Sequence, residues 1–155
     1  MSLRLIIIIV LTVFFLDRLT KYFIVSNFKL GQSVAIIDNV FYFTYVLNSG
    51  AAFGLLRNHA AFLIIVTILF FCGIIYFFIK VPVECKYLRL GGALLVGGAI
   101  GNLIDRIQTG RVVDFLDFLI WPVFNIADIA IVCGVGYIIY SILFYKSGMA
   151  VDEEA

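Results

Sequence analysis

Ala60 to Ile79 is a run of 20 residues without one charged side chain. As a helix rising about 1.5 Å per residue it would span about 30 Å, the thickness of a bilayer's hydrocarbon core. A helix that is apolar on every side must be wrapped by lipid or by a large protein interior. The pattern repeats three times. Further apolar segments cover residues 5–25, which continues past Asp17, Arg18 and Lys21, 88–106, with Arg89 near its start and Asp105 and Arg106 at its end, and 126–145, interrupted only by Asp128. A chain of 155 residues cannot bury four such helices inside itself. Composition agrees: 64% of the residues are hydrophobic and 14% charged. A soluble domain has about 45–50% apolar and about 25% charged residues. The same figures exclude intrinsic disorder, which needs low hydrophobicity and high net charge. Eleven Lys and Arg scattered among ten Asp and Glu, net +1, exclude the dense basic face of a nucleic-acid binder.

The expected fold is an all-α membrane protein: four transmembrane helices and a small extracytoplasmic β-cradle in one integral membrane domain, residues 1–155. The uninterrupted part of the first segment, Leu5–Leu16, resembles the core of a secretory signal, but Asp17, Arg18 and Leu19 follow where cleavage needs small residues. It reads as retained. The third segment is rich in small residues, among them Gly91, Gly92, Gly97, Gly98 and Gly101, which permit close helix approach. The connection 26–59 contains Val40–Val46, aromatic and β-branched, with turn signals at Gly31 and Asp38–Asn39. It reads as a small sheet at the membrane surface. The tail Asp152–Glu154 reads as a solvated end. Four spans put both termini on one side. Arg4, Lys80, Lys86, Arg89 and Lys146 face Lys29, Arg57 and Arg111, a difference too small to orient the chain by charge alone. Cytoplasmic termini are the favoured reading.

Ionisable groups at membrane depth are costly and mark functional sites. Five of the ten acids, Asp17, Asp105, Asp114, Asp117 and Asp128, lie in or beside the spans, and by connectivity on one side of the membrane. Asp17 and Lys21, four residues apart, can meet on a helix face, while Arg18 can snorkel to the interface. Asn102 shares the face of Asp105, and Asp105 and Arg106, being adjacent, must find separate partners. Asp114 and Asp128 have apolar neighbours. Two carboxylates brought together in a dry place cannot both ionise; one keeps a proton and the other is a base, the equipment of an aspartic protease. A transport path and a structural polar core remain alternatives, Asp117 competes with Asp114, and Lys21 with Ser49 would make a Ser–Lys dyad. His59 is the only histidine, so a histidine metal site or triad is not expected, and Cys72, Cys85 and Cys133 read as small buried hydrophobes.

Five blocks, in order, resemble the lipoprotein signal peptidase (signal peptidase II) family. They are Asp17–Lys21, Asn48–Gly54, Gly97–Arg106, Val112–Phe115 and Phe124–Asp128. The resemblance implies four transmembrane helices, cytoplasmic termini in the bacterial cytoplasmic membrane, and a β-cradle with a mobile surface segment outside. It implies cleavage of prolipoproteins just before a diacylglyceryl-modified cysteine, inhibition by globomycin, and no metal or organic cofactor. Asp114, not Asp117, and Asp128 then match the catalytic dyad. Asn102, Asp105, Arg106 and Asn125 match residues that brace the dyad or hold substrate backbone. Asp17, Lys21, Asn48 and Gly50 match residues that shape the pocket. The expected partners are such substrates and membrane lipid, without nucleic acid, and the expected state is a monomer. Gly50 and Gly54 read as flexible points of the surface loop.

Overall fold

The structure, a computed structural model, describes residues 1–50, 56, 59–82 and 84–152, and of 145–152 the helical backbone only. Gly54, Arg57, Glu153 and Glu154 lie outside the described residues. The elements run α1 (Leu3–Asn27), β1 (Ser33–Ile37), β2 (Phe41–Asn48), α2 (Ala60–Lys80), α3 (Lys86–Thr109), β3 (Val112–Asp117) and α4 (Ile126–Asp152). Every apolar segment of the sequence has become a helix one or more residues longer than the apolar run itself. Asp152, expected in a frayed tail, is the last residue of α4.

Three of the helices, α2, α3 and α4, are long and apolar enough to cross a membrane. α1 is 25 residues long, but Asp17, Arg18 and Lys21 crowd its second half, so by composition alone it does not qualify as a fourth span. The reason is visible in its packing. Asp17 and Lys21 are fully buried against other elements, so their charge faces protein, whereas Phe15, Leu19, Tyr22 and Phe23 are exposed.

α3 is the centre of the bundle and packs against α1, α2 and α4. Its glycines make this possible. A Cβ on Gly98 would collide with the backbone carbonyl oxygen of Ala127 in α4, and one on Gly101 with the Asp17 carboxylate of α1. The small-residue face is therefore already filled by neighbouring helices and is not a groove left open for a substrate helix. α3 ends at Gly110, whose φ of +72° is a left-handed stop that suits glycine. At its start, Arg89 turns inward. It donates to the carbonyl of Val81 at 2.8 Å and covers the end of α2.

The sheet is antiparallel in the order β1-β2-β3. Two strands come from the expected 26–59 region, joined by a turn through Asn39 at φ +60°. The third, β3, follows α3 directly and was not anticipated: Val112–Val113–Asp114–Phe115 is buried on both faces and so shows no alternation. Val113 and Phe115 pack with Ile24 of α1 and with Phe43, Tyr45 and Leu47 of β2. Asp114 points the other way. Gly98→Ala is expected to destabilise the fold by about 1–3 kcal/mol through overpacking against backbone, measured as thermal unfolding in detergent; unchanged stability would show that α3 and α4 do not approach this closely.

Candidate active site

One buried ammonium organises the charged residues. Lys21 Nζ lies 2.9 Å from Asp17 Oδ2 and 2.8 Å from Asp105 Oδ2, and donates to Asn102 Oδ1 at 2.9 Å. The i, i+4 spacing of Asp17 and Lys21 is used as the sequence indicates. Asp17 Oδ2 accepts no hydrogen bond of good geometry and is held by the ammonium's charge; Asp17 Oδ1 accepts from the backbone amide of Ala127 at 3.2 Å. Asp105 uses both oxygens. Oδ2 also accepts from the Val113 amide at 3.3 Å, and Oδ1 pairs with Arg18 at 2.6 Å. Arg18 therefore does not reach out to the interface as expected, because a carboxylate lies closer. Asp105 and Arg106 do find separate partners, as adjacency on a helix requires. Arg106 donates to the carbonyl of Gly50 at 3.0 Å.

Asn102 passes this order on to α4. Its oxygen is fixed by Lys21, so its amide points outward and donates to Asp128 Oδ1 at 2.8 Å. Asn125 and Asp128 then form a reciprocal cap at the start of α4. The Asp128 amide donates to Asn125 Oδ1 at 2.9 Å, and the Asn125 amide donates to Asp128 Oδ2 at 3.2 Å. The Asn125 side-chain amide donates to Asp114 Oδ1 at 2.6 Å and to Asn102 Oδ1 at 3.1 Å. Asp114 Oδ2 accepts from Asn48 at 2.9 Å. Val46 and Asp114 are opposed in the sheet, so Asn48, two residues on, shares their face. Asn48 Oδ1 in turn accepts from the Gly50 amide at 2.9 Å. Gly50 is buried and bonded through both its amide and its carbonyl, so it is not a loose hinge.

The two carboxylates thus meet across one asparagine: Asn125 binds Asp114 with its side chain and Asp128 with its backbone. Asp114 is 2% exposed and Asp128 is half-buried. Burial, and after it the charge of Asp128, raises the Asp114 carboxyl to about 7, against the lowering effect of Asn48 and Asn125. A pair so placed holds one proton near neutral pH and can both accept and donate one.

A family model described as "Signal peptidase (SPase) II" matches residues 9–144. The chain belongs to the signal peptidase II family. It is 48% identical over 133 residues to a protein of Moorella thermoacetica named lipoprotein signal peptidase, covering 86% of this chain and 89% of that one. A protein of the same name from Desulfitobacterium hafniense is 50% identical over 129 residues, 83% and 85% of the two chains. Two solved structures of bacterial membrane enzymes superpose with TM-scores of 0.90 and 0.83. Each is 38% identical, and they cover 94% and 91% of this chain and 92% and 94% of their own. The chain is an integral membrane protein and a protease by family.

The structure of this signal peptidase II member brings all ten anticipated residues, Asp17, Lys21, Asn48, Gly50, Asn102, Asp105, Arg106, Asp114, Asn125 and Asp128, into one connected network. Asp117 stands apart: it accepts from the Thr44 hydroxyl at 2.7 Å and the Leu119 amide at 2.9 Å at the far end of β3. The Ser–Lys alternative loses its base, since two aspartates and Asn102 hold Lys21. Arg18 is the member that reasoning from the sequence placed elsewhere; the signal was there, one position after Asp17, but its partner lies 87 residues away. Cys72 and Cys133 are exposed rather than buried, because α2 and α4 turn much of their surface outward; only Cys85 is buried. No group of three or more candidate metal ligands occurs among the described residues. Lys21→Met, leaving two buried carboxylates without their ammonium, is expected to cost about 3–5 kcal/mol. Arg18→Gln, at a position 27% exposed, is expected to cost within about 1 kcal/mol. Thermal denaturation of the two variants in detergent checks the ranking; equal losses would show that Lys21 is not the anchor.

Proposed function

We propose that the chain is an aspartic endopeptidase of the cytoplasmic membrane that removes the signal peptide from diacylglyceryl-modified prolipoproteins, cutting before the lipidated cysteine. The observation that carries this reading is the sharing of Asn125 by Asp114 and Asp128. In the mechanism, the ionised member of the pair takes a proton from a water molecule. The water oxygen attacks the carbonyl carbon preceding the cysteine, while the protonated carboxyl donates to the carbonyl oxygen. The proton gained from water then passes to the amine nitrogen as the C–N bond breaks, and a hydroxyl of the collapsing diol returns its proton to the carboxylate that donated one. The two carboxyls are coupled, and at rest the proton of the pair resides on Asp114.

The supporting residues have distinct tasks in this reading. Asn125 and Asn102 hold the two carboxylates in place. Asn48 orients Asp114 from the sheet. Arg106, anchored on the Gly50 carbonyl, retains further N–H donors for the substrate backbone. Asp17, Lys21 and Asp105 fix the floor. α1 is the fourth span, its charges shielded by α3 and α4, and four spans set both termini in the cytoplasm with the dyad near the outer face. That position suits a substrate whose signal helix and acyl chains are confined to the bilayer but whose scissile bond needs water. Globomycin-type inhibitors belong to the same reading, as does activity as a monomer without a cofactor.

Purified protein in detergent, given diacylglyceryl-modified prolipoprotein, is expected to release the signal peptide. Asp114→Asn and Asp128→Asn are each expected to lower the rate about 10²-fold or more. A normal rate in either variant would remove the dyad. Because Asp114 carries its proton up to about 7, cleavage is expected to fall as pH rises through that value, when the shared proton leaves. A rate flat from pH 6 to about 9, well above the usual carboxylate range, would contradict proton sharing.

A further inference from the structure

Between β3 and α4 the chain makes an excursion with a pinned base and a solvent-accessible tip. At the base, the Phe115 and Leu116 amides donate to the Phe124 carbonyl at 3.0 and 2.8 Å, and the Phe124 amide donates to Leu116 at 3.0 Å. Phe118 packs its ring against Phe41 of β2, centroids 4.8 Å apart, and against Phe124 at 6.0 Å. Asp117 accepts from the Leu119 amide at 2.9 Å. Beyond that point Leu119 takes φ +64°, a left-handed backbone that a leucine rarely adopts. The turn projects its successors outward. Leu119 is 54% exposed, Ile120 95% and Trp121 58%.

A loop tip in water is built from Gly, Asn, Asp, Ser and Pro. Here three large apolar residues precede Pro122, and no charge occurs between Asp117 and Asp128. Their place in the fold explains the choice. α4, long and apolar enough to cross a membrane, begins at Ile126, four residues after Pro122. Ile129 and Val132 on its outward face are exposed, at 41% and 70%, so the tip continues an apolar surface that lipid covers. It stands at the level where a span enters the bilayer, and tryptophan is enriched there. A second protein copy is a poor occupant, because a stable interface buries about 800 Å² on each partner and three side chains at a loop tip offer a small fraction of that.

We propose that Leu119, Ile120 and Trp121 form an anchor that inserts into lipid at the headgroup–acyl boundary. Because the base is bonded to β3 and leads straight into α4, the anchor also fixes the depth of Asp114 and Asp128, which lie four residues either side of the segment 118–124. The consequence for catalysis rests on the signal peptidase reading. A bond next to a lipid-anchored cysteine has its depth set by the bilayer, and the anchor sets the enzyme's depth by the same reference.

Trp121 is the only tryptophan in the chain, so the native protein reports on its own tip. The test is Trp121 fluorescence of the full chain in phosphatidylcholine vesicles, with iodide as the aqueous quencher and lipids brominated high or low on the acyl chain as membrane quenchers. The expected result is weak quenching by iodide and stronger quenching by the shallow than by the deep bromines. Strong iodide quenching with no effect of brominated lipid would overturn the anchor. Ile120→Asp is expected to raise iodide quenching severalfold. It should also slow cleavage of bilayer-embedded prolipoprotein severalfold while leaving the rate in detergent micelles unchanged. Equal rates of variant and wild type in bilayers would overturn the depth-setting role, and circular dichroism of the variant verifies its helices. Failure of the wild type to cleave in either medium would count against the peptidase reading, with the quenching still deciding the anchor.

Discussion

The fold depends on what surrounds one ammonium group. Lys21 is fully buried, and in a setting where lipid offers no hydrogen bonds each of its three protons must find protein. They face Asp17, Asp105 and Asn102. Two of these come from α3 and one from α1 itself, and each has a further commitment. Asp17 takes the amide of Ala127 in α4, Asp105 the amide of Val113 in β3, and Asn102 gives its amide to Asp128. Satisfying one cation therefore ties four elements together. The close approach that this needs is available because Gly98 and Gly101 leave room for Ala127 and Asp17.

The same network also orients the Asp114 and Asp128 carboxyls. Asparagine is well suited to the task, because its amide donates to a carboxylate while its carbonyl accepts, and neither end titrates. Asn125 uses this fully, binding Asp114 through its side chain and capping α4 together with Asp128. The carboxylates are thus oriented by neutral groups, while Lys21 and Arg18 neutralise Asp17 and Asp105 behind them. A cation bonded directly to Asp114 would hold that carboxyl ionised; burial next to a second acid keeps the proton on.

Much of this was legible in the chain. The four helices followed from long apolar runs, and the i, i+4 spacing of Asp17 and Lys21 indicated their contact. What the residues alone left open was which acid pairs with which. Asp114 and Asp117 are equivalent by spacing, and the resemblance to signal peptidase II separated them before geometry did. β3 was illegible because a strand buried on both faces has no period-two pattern. Arg18 was misplaced because local spacing cannot report a carboxylate 87 residues away. The glycines of α3 indicated close packing but not the partner, and the neighbouring helices, rather than a substrate, fill that face.

Asp114 keeps its proton because it is buried beside Asp128. Infrared spectroscopy of the protonated aspartate carbonyl stretch, recorded against pH with wild type, Asp114→Asn and Asp128→Asn, tests it directly. The expected band is missing in Asp114→Asn, persists in wild type until pH rises through about 7, and in Asp128→Asn disappears at lower pH. A carboxyl at Asp114 that titrates near the ordinary aspartate value of about 3.9, with or without Asp128, would contradict it.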